Sequence, residues 1–263
     1  MDDVRSWYKA IHARHSVRDF SGPPVPEKTA SRIRELCGGF SGLCEGARGV
    51  VLDNTQGVFT GFGRVTGAPM AGAVVADLNS AHPMVSAGYL GEGIVLEAVS
   101  ARLQTCWVTH FNKHSVEERC GLREREDVVA VIAIGTEANT SPHNPFQAWT
   151  ARGIGSMIRA SRKPVSEMVS GLPAEEWPPK LGYVFEAVRT SPSRNNRQPW
   201  EFRVDEDGVT LWVDKEGEPL DPLRHLEGGI AMLNLEVAAK ACGIAGEWVF
   251  TDPPALAKFV YRR

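Results

Sequence analysis

The 263-residue chain contains no Cys-x-x-Cys pair, and its five cysteines (Cys37, Cys44, Cys106, Cys120, Cys242) are odd in number. Reduced thiols, the usual state in the cytosol, fit that pattern better than a disulfide framework. No apolar run is long enough to span a bilayer, and the acidic start Met1-Asp2-Asp3 is not followed by a signal-peptide pattern, so a cytoplasmic protein off the membrane is expected. There is little net charge: 29 Lys and Arg against 32 Asp and Glu give −3, which argues against a nucleic-acid partner. No Gly-x-Ser-x-Gly nucleophile element is present. The pair Gly61-Phe62-Gly63 lacks the third glycine and the acid of a dinucleotide fingerprint and reads as a turn. His110 and His114 have helical metal-ligand spacing but no third ligand near them in sequence, so no metal site is expected.

What is present is ordinary for a globular protein: 43% hydrophobic and 23% charged residues over a length that allows one large core or two small domains. Val4, Trp7, Tyr8 and Ile11 mark a short first helix, and Pro26 to Cys37 reads as a second one ending at Gly38-Gly39. Ala71 to Ala76 reads as a buried strand, and Val128 to Gly135 as a central one. Two stretches, Gly88 to Leu103 and Gly229 to Cys242, are apolar almost all round and belong in the middle of the molecule. Gly88 lies 19 positions before Trp107, and Gly229 lies 19 before Trp248, which reads either as an internal duplication or as a coincidence between two buried helices. Thr140 to Gly155 is rich in Asn, Pro, Gly and Ser and reads as a linker. Beyond it come a helix from Pro178 to Arg189 and a hairpin of Trp200–Val204 with Val209–Val213 about Asp207-Gly208.

Two stretches carry chemistry. Arg14-His15-Ser16-Val17-Arg18 would, if extended, set Arg14, Ser16 and Arg18 on one side, where they form either a solvated basic edge or a grip for a phosphate and an anionic ring edge. Thr190 to Phe202, Thr-Ser-Pro-Ser-Arg-Asn-Asn-Arg-Gln-Pro-Trp-Glu-Phe, crowds hydroxyls, carboxamides and arginines into a loop between helix and strand. Such side chains satisfy loop backbone, and they equally suit a flat heterocycle rich in carbonyls and ring nitrogens.

Ser191-Pro192-Ser193-x-x-Asn196-x-Gln198-Pro199-Trp200-x-Phe202 resembles the signature of the FMN-dependent nitroreductase family, and Arg14-His15-Ser16-Val17-Arg18 resembles that family's N-terminal basic element. The resemblance implies an α+β, nitroreductase-like fold. Ordinary members are homodimers with flavin between subunits, one subunit giving the basic element and the other the Pro-Ser-x-x-Asn loop. Here each half of one chain keeps one of the two. The resemblance therefore implies two fused similar halves, residues 1–155 and 156–263, forming an intrachain pseudo-dimer around the central apolar helices. The resemblance thus implies a monomeric pseudo-dimer, with further dimerisation open.

Carried over residue by residue, Arg14, His15, Ser16 and Arg18 would hold the FMN phosphate and the N1/O2 side of the ring. Pro192, Ser193 and Asn196 would line the ring, with Arg194 and Gln198 in support. The loop Thr105-Cys106-Trp107 resembles the family's Gly-Thr-Cys-Trp element beside the isoalloxazine, and Arg162-Lys163-Pro164 resembles the basic segment over the phosphate. One departure stands out: Ala101-Arg102-Leu103-Gln104 and Thr109-His110 replace the glycines that flank that Thr-Cys-Trp, so a different approach to the ring is expected. The implied activity is an oxidoreductase passing electrons from NADH or NADPH through flavin N5 to a small acceptor, a nitroaromatic or quinone, with no catalytic side chain needed. The alternative from another class is a protein that stores or senses FMN.

Overall fold

The computed structural model describes residues 4–60, 65–138, 162–214 and 221–262. The first part runs α1 (Val4–Ala13), α2 (Glu27–Leu36), β1 (Ala47–Leu52), β2 (Met70–Asp77), α3 (Pro83–Ser100), β3 (Gln104–Val108), α4 (Lys113–Cys120) and β4 (Glu126–Gly135). The second runs α5 (Val165–Met168), β5 (Val169–Gly171), α6 (Leu181–Val188), β6 (Glu201–Asp205), β7 (Gly208–Trp212), α7 (Pro222–Cys242), β8 (Gly246–Phe250) and β9 (Ala257–Tyr261). The expected linker at Thr140–Gly155 and the turn at Gly61–Gly63 lie outside the described residues.

Each part builds a sheet, with strand order β1-β2-β4-β3 in one and β5-β6-β7-β9-β8 in the other. Setting β5 aside, the two orders are the same. In both, a helix leads into an antiparallel pair, then a long apolar helix, then a second antiparallel pair. β5 adds to the second sheet as a parallel strand on the β6 edge. Connections of this length place each long helix across one face of its own sheet, and the other face of each helix then needs a partner.

That partner is the other long helix. α3 and α7 pack on each other at the centre of the largest core cluster, with Tyr89, Leu90, Ile94, Leu96, Ile230, Met232, Leu233 and Leu235 all buried. Glycine sets how closely they approach. A Cβ on Gly88 would collide with the carbonyl oxygen of Leu226, three residues before Gly229. A Cβ on Gly229 would collide with the carbonyl oxygen of Val85, three residues before Gly88. The contact is therefore reciprocal, as it is across a two-fold axis. Both tryptophans at the 19-residue spacing return to these helices: Trp107 lies over Gly91, and Trp248 Nε1 donates to the Met232 carbonyl at 3.2 Å.

The sequence-based boundaries shift in three places. α3 begins at Pro83 and α7 at Pro222, ahead of the glycines taken as their starts, because proline at the first helical turn needs no hydrogen-bond partner. Asp221 caps α7 by accepting from Leu223 N at 3.0 Å. Thr105-Cys106-Trp107 is not a loop but the middle of β3, paired with Ile134, Ala133 and Ile132 of β4. β-branched and aromatic residues favour that pairing once the flanking glycines are gone. His110 precedes α4, so it and His114 do not share that helix. All five cysteines are unpaired, and no described helix is long and apolar enough to cross a membrane.

Candidate functional site

The N-terminal basic stretch lies along the free edge of the first sheet. Ser16 forms a parallel bridge to Thr105, and Val17 N donates to the Thr105 carbonyl at 3.0 Å. Farther on, Thr66 N donates to the Arg18 carbonyl at 2.8 Å. Extended backbone alternates its side chains, so Val17 is buried while Ser16 and Arg18 face solvent on the other side. Arg14 is half-buried at the end of α1, its N–H donating to the Ala10 carbonyl at 2.9 Å. His15 is half-buried, with Nε2 3.4 Å from Glu137. Thr105 and Cys106 are buried beneath this stretch, and Trp107 is partly so. Burial pushes the Cys106 thiol up, opposed by the charges of Arg18 and Arg14.

The loop after α6 reaches the same place from the second part of the chain. Arg14 donates to the Thr190 carbonyl at 3.2 Å, and Arg162 to the Ser191 carbonyl at 2.6 Å. The two halves of the expected site thus meet through arginine and loop carbonyls. The Arg162 guanidinium is held down at about 10, first by burial and then by the like charges of Arg14 and Arg189. Arg14 and Arg162 therefore converge where the loop begins, beside Arg189, which is itself paired with Glu186 at 2.9 Å.

The loop itself is held tightly. Asn195, Asn196 and Gln198 all have positive φ, at 53°, 58° and 47°. Asparagine accepts that region readily, whereas glutamine does so at a cost of about 1 kcal/mol or more. Gln198 is buried, its Oε1 accepting from Lys163 N at 2.9 Å and its Nε2 donating to the Asn196 carbonyl at 3.1 Å. Its own N–H donates to Ser193 Oγ at 3.0 Å. Pro192 is buried, Ser193 and Asn196 are half-buried, and Arg194 is exposed. Glu227, on α7, accepts from Arg194 N at 2.7 Å and from Arg197 Nε at 2.8 Å; Arg197 also pairs with Asp221.

Below the arginines lies a polar network that sequence reasoning missed. Glu92, on α3 and wholly buried, accepts from Trp107 Nε1 at 3.1 Å and from Asn234 Nδ2 at 3.1 Å. Asn234, on α7, also donates to Ser191 Oγ at 2.8 Å. Burial pushes the Glu92 carboxyl up to about 7, against the lowering effects of Arg14, Trp107 and Asn234. The available signal was an acid and an amide within helices otherwise apolar all round, where a polar group survives only with a partner.

The arrangement brings Arg14, Ser16, Arg18, Thr105, Cys106, Trp107, Arg162 and the 190–198 loop to one sheet edge. Gln198 ties the loop to Lys163 N and to its own Asn196 carbonyl, and Arg194 holds Glu227 through its N–H. Chemically, clustered guanidiniums offer an anion site, and the loop amides and hydroxyls offer hydrogen bonds beside it.

A family model described as "Putative TM nitroreductase" matches residues 6–239. A crystal structure described as a "putative nitroreductase" from Thermotoga maritima MSB8 is 20% identical, covers 97% of this chain and 92% of that chain, and has a TM-score of 0.65. A nitroreductase family protein from Clostridium difficile 630 is 16% identical over 65% of this chain and 98% of that chain, with a TM-score of 0.46. A protein described as an FMN-dependent nitroreductase from Clostridium difficile R20291 is 18% identical over 52% of this chain and 92% of that chain, with a TM-score of 0.41. Comparison with curated proteins gives no match. With the family model spanning most of the chain and a shared α+β fold along nearly all of it, this chain belongs to the nitroreductase family that the model describes.

Proposed function

We propose that the chain is an FMN-dependent oxidoreductase using NADH or NADPH as donor and a small molecule, a nitroaromatic or quinone, as acceptor. The observation that carries this reading is the convergence of Arg14 and Arg162 on the carbonyls of Thr190 and Ser191, with Arg189 close enough to depress Arg162. Arg14 and Arg162 so placed repel one another, with Arg189 adding to the field although it is paired with Glu186 at 2.9 Å, and a phosphate relieves that repulsion. The donor set fits FMN: cations for the phosphate, the Ser16 and Ser193 hydroxyls and the Asn196 amide for polar edges, and the partly buried Trp107 as apolar surface, with Pro192 buried in the loop behind them.

Bound there, FMN would supply two-electron hydride-transfer chemistry. The chain's own residues bind and orient. Arg14, Arg18 and Arg162 supply the positive field that favours a negatively charged cofactor, His15 borders them, and the Thr105–Trp107 strand forms the floor. The Arg194 N–H and the Gln198 side chain hold the loop in place. Because the loop comes from one part of the chain and the basic stretch from the other, we infer that residues 1–155 and 156–263 are a fused pair sharing one site. The matching strand orders and the reciprocal glycine contact support that inference.

Stopped-flow mixing of the FMN-loaded protein with NADH or NADPH tests the activity. Rapid bleaching of the flavin band is expected. A flavin that only dithionite reduces would overturn the enzyme reading and leave a storage or sensing protein.

A further inference from the structure

Among the described residues, Glu92 is the buried carboxylate that feels the Arg14 charge from α3. Its two oxygens meet two donors, the Trp107 indole and the Asn234 amide, so the ionised form is matched. Asn234, only 1% exposed, spends both amide hydrogens on Glu92 and Ser191, while its Oδ1 is buried without a partner. An amide turned over about its Cβ–Cγ axis would exchange oxygen for nitrogen at those contacts. Oδ1 would then accept from a protonated Glu92 and from the Ser191 hydroxyl, while the amide hydrogens would move to the place where Oδ1 now lies unpartnered. The site therefore accommodates either state of the acid, with Asn234 as the adapting group.

The charges around it decide which state holds. Arg14, at the end of α1, is the full charge that opposes the neutral acid, against the larger effect of burial. Arg162 and Arg189, the latter paired with Glu186 at 2.9 Å, lie beyond Arg14, and Arg18 lies near Cys106 of β3. The other charges along α3 and α7 are committed elsewhere. Glu97 accepts from Trp7 at 2.9 Å and lies 3.8 Å from Arg32, and Glu236 accepts from Tyr89 at 2.8 Å and pairs with Lys240 at 2.6 Å. An anion seated on Arg14 cancels the field that keeps Glu92 ionised.

We propose that Glu92 takes up one proton from solvent when an anion occupies the Arg14–Arg162 cluster, and that Asn234 turns over to accept the new O–H. The inference rests on the reading above in so far as that anion is the phosphate of FMN. The sign follows from linkage: a ligand that raises the affinity for a proton binds less tightly as pH rises. With the free acid near 7, anion affinity falls by up to about tenfold per pH unit above neutrality.

The test is calorimetric titration of the flavin-free full chain at pH 8, in two buffers of different ionisation enthalpy, with FMN and separately with sulfate. Sulfate does not titrate in this range, and at pH 8 the FMN phosphate has already lost its second proton, whose pKa is about 6. Net proton uptake is expected with either ligand in the parent and none in Glu92→Gln, whose affinity should be independent of pH from 7 to 8. An infrared difference spectrum of the unmutated chain should gain protonated-carboxyl absorption on adding sulfate, whether or not the variant folds. Uptake with sulfate but no binding of FMN would sink the cofactor reading and keep the proton linkage. FMN binding with equal uptake in parent and variant, or with no new carboxyl absorption, would sink the linkage alone. Binding of neither anion would overturn both.

Discussion

Two loops occupy matching places in the two sheets, and they are built differently. After α2, the chain runs through Cys37 to Cys44 into β1; after α6, it runs through Arg189 to Trp200 into β6. In the first loop, Phe40 drops onto Gly93 of α3, stacks on Tyr89 at 5.6 Å between ring centroids and meets Trp7 edge-on at 5.4 Å. In the second, Ser191 meets Asn234 of α7, which holds Glu92. One junction is an aromatic plug and the other a hydrogen-bonded network beneath three arginines. The difference is set by what each long helix presents to its loop. Gly93 leaves room for a ring, whereas Asn234 fills that room with donors. A repeated topology therefore need not repeat a site.

The most damaging way to break the comparison is to push the central helices apart. Gly88→Leu should cost at least about 3 kcal/mol, because the added carbon meets the Leu226 backbone rather than a side chain that can turn away. Urea denaturation would register this as a lower midpoint with loss of a single cooperative transition, and an unchanged midpoint would contradict the crossing described here.

Removing the plug should cost less. Phe40→Ala deletes a partly buried ring and should lower stability by about 2–3 kcal/mol. Flavin affinity should stay within a factor of about two, because Phe40 serves the other junction. A large loss of FMN would mean that the two junctions are not independent.

On the polar side, Arg14→Ala and Arg162→Ala should each weaken FMN binding by about 2 kcal/mol, roughly 30-fold, with the unfolding midpoint little changed. Fluorescence titration of the released and rebound flavin measures this directly. Equal affinity in both variants would return the basic stretch to a solvated edge.

A smaller effect lies in the first part of the chain, remote from both junctions. Arg48 grips Glu126 through Nε at 2.8 Å and NH2 at 2.7 Å, and Arg123 N donates to the same carboxylate at 2.8 Å. The Arg48 hydrogen bonds hold the Glu126 carboxyl down at about 2, from an ordinary 4.5. A depressed acid stabilises the fold above its unfolded pKa, and that contribution is lost as pH falls from about 4.5 toward 2. Glu126→Gln should therefore lower stability by about 1–2 kcal/mol at pH 7, with the gap to the parent closing below pH 4. A gap that persists at pH 2 would show that packing, not charge, holds the pair.

Much of this architecture was legible in the chain. The apolar helices, the central β4 and the β6–β7 hairpin follow from periodicity and from the Asp207-Gly208 turn, and the signature loop was readable as letters. The helix starts were missed because glycine was taken as the boundary. Pro222 behind an Asp221 cap, and Pro83, were the better markers. β3 was misread as a loop because the resemblance, rather than the β-prone run Thr105 to Val108, guided the reading. The Glu92–Asn234 contact was beyond reach, since its partners are 142 positions apart and meet only once two helices cross. The role of Phe40 was hidden for the same reason: what it touches is set by a glycine 53 positions away.

The account's central claim is that one chain, with two similar sheets, makes one flavin site. The direct measurement is the ratio of FMN released by denaturation to protein chain, after saturation with FMN and removal of the excess. The account predicts a ratio near one, because only the junction carrying Ser191, Arg14 and Arg162 is polar and cationic. A ratio near two would mean that the Phe40 junction also binds flavin, and a ratio near zero would mean that the arginine cluster serves some other ligand.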